Sequence, residues 1–225
     1  MTAACRYTVG VAGPAHRAGV EGVRVAAFRR ATEFHWKDEA LLAWGPADDE
    51  GTVIALWDAQ GQVLSTVRAS IFASTALAEQ FLEYSLAGMG TATPLLVLSR
   101  AATRPEVARQ GLNSVVRYAY LAAAALAPVE CVVTLVYDGG PRLRSMREAG
   151  FDLIEPAAGW DTEAIARTRP LMAVMPRGRI DQALRSISGA IDERLAETTV
   201  DAAAIAQGLR MQCLRVGALQ AATAG

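Results

Sequence analysis

One strand-turn-helix segment in the middle of the chain constrains its fold more than any other part of the sequence. Pro94–Thr103 is predicted to be a strand, and its unbroken apolar run Leu95–Leu98 is typical of a strand covered on both faces. Arg104–Gln110 then forms a polar turn that ends at Gly111. The Ala-rich stretch Leu112–Leu126 has the composition of a helix. A buried strand that leads directly into a helix indicates an α/β fold.

Strands and helices alternate along the first 176 residues. Two β-rich runs, Thr52–Asp58 and Gln62–Ile71, flank Ala59-Gln60-Gly61, which indicates a hairpin of antiparallel strands. Beyond Pro176 the apolar residues recur at helical spacing, which predicts helices only. We therefore predict an α/β domain over residues 1–176 and a two-helix C-terminal extension over residues 177–225. Further strands are predicted at Cys5–Val11, Cys131–Tyr137 and Leu171–Met175, and further helices at Glu21–Thr32, Ala73–Leu86, Gly139–Ala149, Ile180–Leu195 and Asp201–Val216.

The composition argues against several classes of protein. With 225 residues, 52% hydrophobic and 20% charged, the chain can bury a sizeable core by itself. Its formal net charge of −1 offers no field for a polyanion, which argues against nucleic acid as a partner. No apolar stretch is long enough to span a bilayer and the start lacks a signal-peptide pattern, so we expect a cytoplasmic protein. The three cysteines have no metal-ligand spacing, and no metal site is expected.

The turn before the Ala-rich helix has the physical features of an anion-binding site. The first turn of a helix leaves about four backbone N–H groups without partners, and the helix dipole adds about half a positive charge there. Here the turn is Arg109-Gln110-Gly111, and the helix opens with Leu112-Asn113-Ser114. A glycine before a helix is also common as a purely structural turn. Both interpretations stay open on these residues alone.

The sequence around this turn resembles the acyl-donor loop of the GCN5-related N-acetyltransferases (GNATs). The run Thr103–Ser114 contains Pro-Glu, a basic loop and a Gly-Leu-Asn-Ser segment, and Gly150-Phe151 resembles a later landmark of the family. The resemblance implies the GNAT fold, a mixed, mostly antiparallel central sheet flanked by helices. It also implies acyl-CoA or an acyl-phosphopantetheine carrier as co-substrate, with no prosthetic group. The donor-binding residues that it implies are Ala101, Thr103, Arg109, Gln110, Gly111, Leu112, Asn113 and Ser114.

Three residues depart from the GNAT pattern. Ala108 stands where an arginine or glutamine is usual, and Asn113 where a small residue is usual. Since asparagine tolerates unusual backbone angles better than most residues, the turn is expected to survive this change. Met146 occupies the position often held by a tyrosine general acid. That acid mechanism is therefore not available to this chain.

A second set of residues is formed by Arg24, Phe28, Trp36, Asp48, Asp49, Arg68 and the pair Ser99-Arg100. Their types, order and approximate spacing resemble one branch of the same fold, the acyl-homoserine-lactone synthases and related N-acyl amino acid synthases. This resemblance implies an N-acyltransferase that acts on the amine of a small, amino acid-like acceptor. The alternatives are a homoserine-lactone product for quorum sensing and a non-catalytic acyl-CoA-binding or sensory module. The implied substrate-binding residues are Arg24, Phe28, Trp36 and Ser99, and the implied catalytic residues are Asp48, Asp49, Arg68 and Arg100.

Val97 is the main departure from this branch. Lactone synthases generally carry a glutamate at this position, and that glutamate is a candidate base; here a valine is expected to make that wall of the site apolar. An acceptor amine must then lose its proton to another carboxylate or to water. Asp48 and Asp49 are the first candidates for that base.

Several residues have structural interpretations beside the functional ones. Trp36 is interpreted either as an aromatic residue of the core or as a substrate contact. His35 is better explained as a surface residue than as a catalytic base. Arg142, Arg144 and Arg147 are expected on the exposed side of a short helix, where an acidic acyl carrier protein is an alternative partner. The C-terminal helices suit a packing cap or the contact of a homodimer.

Overall fold

The computed structural model of the chain describes residues 5–31, 39–157 and 168–223. Trp36 and His35 lie outside these ranges. The strands are β1 (Tyr7–Val11), β2 (Thr52–Asp58), β3 (Val63–Phe72), β4 (Leu95–Thr103), β5 (Cys131–Tyr137), β6 (Asp152–Ile154), β7 (Pro170–Pro176) and β8 (Thr198–Val200). The α-helices are α1 (Arg17–Arg30), α2 (Pro46–Glu50), α3 (Thr75–Leu82), α4 (Leu112–Leu126), α5 (Pro141–Glu148), α6 (Ile180–Ala190), α7 (Asp192–Ala196) and α8 (Ala202–Thr223).

The strands form one eight-stranded sheet in the order β6-β7-β5-β4-β3-β2-β1-β8. Neighbouring strands are antiparallel except for two parallel pairs, β4–β5 and β1–β8. This mixed, mostly antiparallel sheet flanked by helices confirms the predicted fold class. The predicted hairpin between β2 and β3 is also confirmed. Its turn is held by the Asp58 carboxylate, which accepts from the amides of Gln60 and Gln62 at 3.0 and 2.9 Å.

Helices cover both faces of this sheet. Ile54 and Leu56 of β2 pack in the cluster that contains the buried residues of α4. Val53 and Ala55 of the same strand pack with the buried residues of α1. Because successive side chains of a strand point to opposite faces, α1 and α4 lie on opposite sides of the sheet. The core therefore has one layer on each side of β2–β4.

The prediction of helices only after Pro176 is wrong. Thr198–Val200 forms β8, which pairs in parallel with β1 at the edge of the sheet. The apolar stripe predicted as one helix is divided into α6 and α7, with Ile191 between them at φ −134°. The only sequence signal for β8 is three β-branched residues, which is too short for an alternating pattern. The division of the chain at residue 176 stays a prediction.

A single buried glutamine ties α8 to the sheet. The Gln212 side chain donates to the Thr52 hydroxyl at 2.7 Å and to the Ala69 carbonyl at 3.2 Å, and it accepts from the Ile71 amide at 2.9 Å. These bonds provide partners for the polar groups of the buried side-chain amide. They also fix α8 across β2 and β3. In the described part of the chain, no helix combines the length and the hydrophobicity needed to cross a membrane.

Candidate active site

The parallel strands β4 and β5 run side by side and then separate. Their pairing begins at Leu95 and Cys131 and ends at Leu98 and Thr134 within the described residues. Beyond Leu98, the backbone groups of β4 that face β5 have lost their strand partner. Unpaired backbone groups in a sheet interior need another partner, so the gap is a place where a ligand can bind.

A bulge in β4 lies at the point of separation. Arg68 of β3 faces Ser99 of β4, whereas Thr66, two residues earlier, faces Ala102, three residues later. The extra β4 residue is accommodated at Arg100, whose φ of +51° is unusual for a residue with a side chain. Bulges bend the strand that carries them and often lie beside active sites. The bulge turns the end of β4 away from β5.

A cavity of about 1000 Å³ occupies the space between the separated strands. Its walls come from β4, β5, the end of α1, the first turn of α4 and the start of α5. Gln110 is not in its lining, and its carbonyl accepts from Arg194 at 3.0 Å instead. The predicted site residues that line the cavity are Phe28, Arg68, Ser99, Arg100, Ala101, Thr103, Arg109, Gly111, Leu112, Asn113 and Ser114.

One end of the cavity is the first turn of α4. Gly111 adopts φ +80°, and its carbonyl accepts from the amides of Ser114 and Val115 at 2.9 and 3.1 Å. Among the described residues, the amides of Leu112 and Asn113 have no hydrogen-bond acceptor. Two free N–H groups at the start of a 15-residue helix are the geometry that an anion-binding turn requires, and the donor-binding role of this turn stays a prediction.

Arg24 and Asp48 lie behind the other part of the cavity and do not line it. The Arg24 guanidinium donates two hydrogen bonds to the Asp48 carboxylate, at 2.6 and 3.0 Å, and both side chains are 0% exposed. Asp48 is carried by α2, a helix that sequence analysis did not predict. The amide of Gly45, just before α2, donates to the same carboxylate at 3.1 Å.

These contacts decide the charge of Asp48. Burial raises the pKa of its carboxyl group, but the hydrogen bonds and charge of Arg24, the Gly45 amide and the charge of Arg68 outweigh it. The pKa is therefore below the ordinary value of 3.8, and Asp48 is ionised at neutral pH. A carboxylate with such a low pKa and both oxygens occupied is poorly suited to accept a proton.

Arg68 and Arg100 both line the cavity. Arg68 donates from Nε to the Ser99 hydroxyl at 2.9 Å and lies over the Phe81 ring at 5.1 Å. Its terminal nitrogens have no hydrogen-bond acceptor among the described residues. Arg100 donates to the Ala43 carbonyl at 2.9 Å and lies 3.7 Å from the Asp48 carboxylate. Burial and then the charge of Arg100 lower the pKa of Arg68 to about 10, so it still carries its charge at neutral pH.

Asp49 points away from the cavity. Its side chain, 52% exposed, accepts from Arg17 at 2.6 Å and from the Trp44 indole at 2.8 Å. In the described part of the chain, no Asp, Glu or His side chain lines the cavity. The positions of Asp48 and Asp49 therefore lend no support to the predicted role of either carboxylate as a base.

Val97 does not form a wall of the cavity, contrary to expectation. It is 0% exposed and packs in a core cluster with Leu95, Ala78 and Met172. The alternation along β4 places it on the face of the sheet opposite Leu98, which does line the cavity. Met146 is likewise fully buried in the core.

The lining residues that the sequence did not predict include Phe81 of α3, Tyr137 at the end of β5 and Arg142 of α5. Arg142 was expected on the exposed side of α5, and this expectation is wrong, since the residue is partly buried and lines the cavity. Burial and then the nearby Tyr84 raise the pKa of Tyr137 to about 12, so its phenol is neutral.

Comparison with solved structures identifies the fold. No protein-family model matches the sequence, and no curated protein shows significant similarity to it. A CoA-dependent acyl-homoserine lactone synthase, BjaI, solved with SAM and isopentyl-CoA, matches with a TM-score of 0.59 at 16% identity, over 90% of this chain and 98% of that chain. The chain has the GNAT fold.

Two further structures with the GNAT fold match over most of the chain. FeeM, an N-acyl amino acid synthase from uncultured soil microbes, has a TM-score of 0.54 at 12% identity, over 79% of this chain and 94% of that chain. The histone acetyltransferase HPA2 and related acetyltransferase from Corynebacterium glutamicum has a TM-score of 0.55 at 16% identity, over 76% and 96%. The predicted GNAT fold is thus confirmed.

Proposed function

We propose that this chain is an N-acyltransferase that moves an acyl group from a phosphopantetheine thioester to the amine of a small, amino acid-like acceptor. The observation that carries the proposal is the cavity between β4 and β5, which joins an anion-binding turn to a pair of arginines. The donor thioester is acyl-CoA or an acyl carrier protein, because both present the same phosphopantetheine arm. No metal or redox group takes part in this proposal.

The donor half of the cavity suits a phosphorylated, amide-containing arm. The free amides of Leu112 and Asn113, the dipole of α4 and Arg109 attract a phosphate. From there the gap between the strands leads along β4. The amide groups of an extended arm can bond to the β4 backbone in place of β5, as an added strand does.

The acceptor half suits a small molecule with a carboxylate. Arg24, Arg68 and Arg100 carry three positive charges near one buried negative charge, that of Asp48. The terminal nitrogens of Arg68 face this half without an acceptor among the described residues. An arginine fork binds a carboxylate with two parallel hydrogen bonds. An amino acid would thus place its carboxylate on Arg68 and its amine toward the donor.

Acyl transfer in this cavity requires little acid or base chemistry from the protein. The acceptor nitrogen attacks the thioester carbonyl, a tetrahedral intermediate forms, and the thiolate of the donor leaves. Backbone N–H groups of β4 beyond Leu98 are suitably placed to stabilise the oxyanion. Holding both substrates in one cavity supplies much of the rate enhancement. With no carboxylate or histidine in the described lining, the amine proton leaves to water.

A transfer assay tests this proposal. The purified chain is incubated with acyl-CoA esters of increasing chain length, or with acylated carrier protein, and a mixture of amino acids that includes S-adenosylmethionine. Mass spectrometry should detect N-acyl amino acids and release of the free thiol. Formation of a homoserine lactone from S-adenosylmethionine would instead select the quorum-sensing alternative. Absence of product with every donor and acceptor would reject the transferase.

A non-catalytic acyl-CoA-binding module is the second candidate. Two observations favour it: Met146 stands in the core at the position of the expected acid, and no carboxylate or histidine lines the cavity in the described part of the chain. This candidate predicts tight binding of acyl-CoA without turnover. Calorimetric binding measured on the same protein preparation as the assay separates the two functions.

A further inference from the structure

Arg142, near the start of α5, lines the cavity together with Gly140 and Ser114. Its Nε atom is buried and has no hydrogen-bond partner. Among the described residues, no carboxylate forms an ion pair with its guanidinium. A charged group in a partly buried position ordinarily has a partner, since an unpaired one is costly.

A second arginine lies close to it. Arg117 of α4 is 2% exposed and donates to the Ser145 carbonyl at 3.1 Å and to the Ser145 hydroxyl at 3.0 Å. Both acceptors are neutral, and the Nε atom of Arg117 is also buried without a partner. The α4–α5 contact therefore contains two guanidinium groups and no carboxylate in the described part of the chain.

The nearby acidic groups do not neutralise this pair. Glu148 of α5 binds Arg144 at 2.7 Å, and Asp138 binds Arg169 at 3.4 Å. Tyr120 faces both buried arginines, but burial raises the pKa of its phenol more than their charges lower it. The phenol is thus neutral at physiological pH.

A guanidinium group is ordinarily charged at physiological pH, and burial does not change this for Arg142. Burial and then the charge of Arg117 lower the pKa of Arg142 to about 10, which still leaves it protonated at neutral pH. The pair therefore holds two positive charges beside the cavity. Ser114 and Arg117 are one helical turn apart on α4, so these charges lie next to the anion-binding turn.

We propose that Arg142, supported by Arg117, binds a phosphate group of the acyl-thioester donor. The inference rests on the proposed function and extends it, because it assigns a second phosphate contact on α5 in addition to the first turn of α4. A phosphate supplies the missing negative charge, and its oxygens match the planar fork of a guanidinium. The phosphate is either that of the pantetheine arm, which coenzyme A and carrier proteins share, or one that only coenzyme A carries.

The test compares Arg142→Gln with wild type by isothermal titration calorimetry, using coenzyme A, 3′-dephospho-coenzyme A and 4′-phosphopantetheine. Arg144→Gln is the matched control, because Arg144 lies on the same helix but is 89% exposed and paired with Glu148. Because one charged contact is lost, Arg142→Gln should bind coenzyme A about 10- to 100-fold more weakly than wild type. The affinity of the Arg144→Gln control should be unchanged.

The three ligands identify the phosphate. If Arg142→Gln loses affinity only for coenzyme A, Arg142 binds the 3′-phosphate. If it also loses affinity for 3′-dephospho-coenzyme A, Arg142 binds the diphosphate. If it loses affinity for 4′-phosphopantetheine as well, Arg142 binds the phosphate of the pantetheine arm. Equal affinity of wild type and Arg142→Gln for all three ligands overturns the inference, even if acyl transfer is intact. Failure of wild type to bind any of them overturns the proposed function as well.

Thermal unfolding separates a binding role from a structural one. Removing an unpaired buried charge should leave the melting temperature of Arg142→Gln equal to or above that of wild type. Arg142→Lys keeps a charge but loses the fork, so it should recover only part of the affinity. A lowered melting temperature together with unchanged affinity identifies Arg142 as a structural residue and contradicts the inference.

Discussion

Arg24 and Asp48 form a bidentate ion pair that excludes solvent. The guanidinium nitrogens lie 2.6 and 3.0 Å from the two carboxylate oxygens, and both side chains are 0% exposed. The pair joins α1 to α2. It also places the Asp48 carboxylate 3.7 Å from Arg100, whose side chain lines the cavity. Asp48 therefore acts on the cavity through the arginines that it holds.

Replacing Asp48 with Asn should destabilise the fold strongly. Arg24 would remain buried without a counter-charge, a loss of about 3–5 kcal/mol in the free energy of unfolding. Asp49→Asn is the matched control; its surface pair with Arg17 should contribute about 1 kcal/mol or less. Urea denaturation measures both. Equal stability of the two variants would show that the Arg24–Asp48 pair is not buried as described.

The same ion pair should make the free energy of unfolding depend on pH in the acid range. The pKa of Asp48 is below 3.8 in the folded chain, so the unfolded chain binds more protons in this range. The stabilisation is present above the unfolded pKa and is lost as pH falls through the folded pKa. The free energy of unfolding of wild type should thus fall more steeply below about pH 4 than that of Asp48→Asn. Parallel curves for the two proteins would exclude this linkage.

Gly111→Ala should weaken donor binding. At φ +80° a side chain strains the turn and disturbs the free amides of Leu112 and Asn113. Gly61→Ala is a matched control, because Gly61 has φ +78° in a hairpin and no atom lies near the added carbon. Both variants should lose about 1 kcal/mol of stability, and only Gly111→Ala should lose affinity for coenzyme A. Unchanged affinity would mean that the turn binds no phosphate.

Val97→Glu should unfold the chain rather than supply a base. The carboxylate would be placed in the apolar cluster that contains Leu95, Ala78 and Met172. Burying an unpaired charge in such a cluster costs several kcal/mol. Circular dichroism and thermal melting measure the effect. A stable, more active Val97→Glu variant would show that Val97 faces the substrate.

Arg68→Lys should impair use of the acceptor more than use of the donor. Lysine keeps the charge but cannot bind Ser99 and a carboxylate with the same planar fork. We expect KM for the acceptor to rise by about 10-fold or more, with KM for the donor nearly unchanged. A matching rise in KM for the donor would place Arg68 in the donor half of the cavity.

Patterns that are continuous in sequence predicted the fold and the strand-turn-helix segment around Gly111 well. The apolar run Leu95–Leu98 and Gly111 before the Ala-rich helix fall within one short segment, and the structure joins them directly. Arg68 and Arg100 fall in two of the predicted strands, which the structure pairs as β3 and β4, and both residues line the cavity. The short strand β8 was missed because its pairing with β1 depends on residues almost the whole chain apart.

The roles of adjacent polar residues could not be predicted from sequence. Asp48 and Asp49 are neighbours of the same type, yet α2 turns one toward Arg24 and the other toward Arg17 and solvent. The same holds on α5, where Arg142 lines the cavity whereas Arg144 is exposed and binds Glu148. Such choices depend on the orientation of a short helix, which no spacing in the sequence specifies.

A crystal structure of the chain with bound coenzyme A tests the central claim most directly. The expected result is the pantetheine arm lying in the gap between β4 and β5, with a phosphate at the amides of Leu112 and Asn113 and the sulfur near Ser99. Coenzyme A bound outside this gap, or no coenzyme A bound at saturating concentration, would contradict the account.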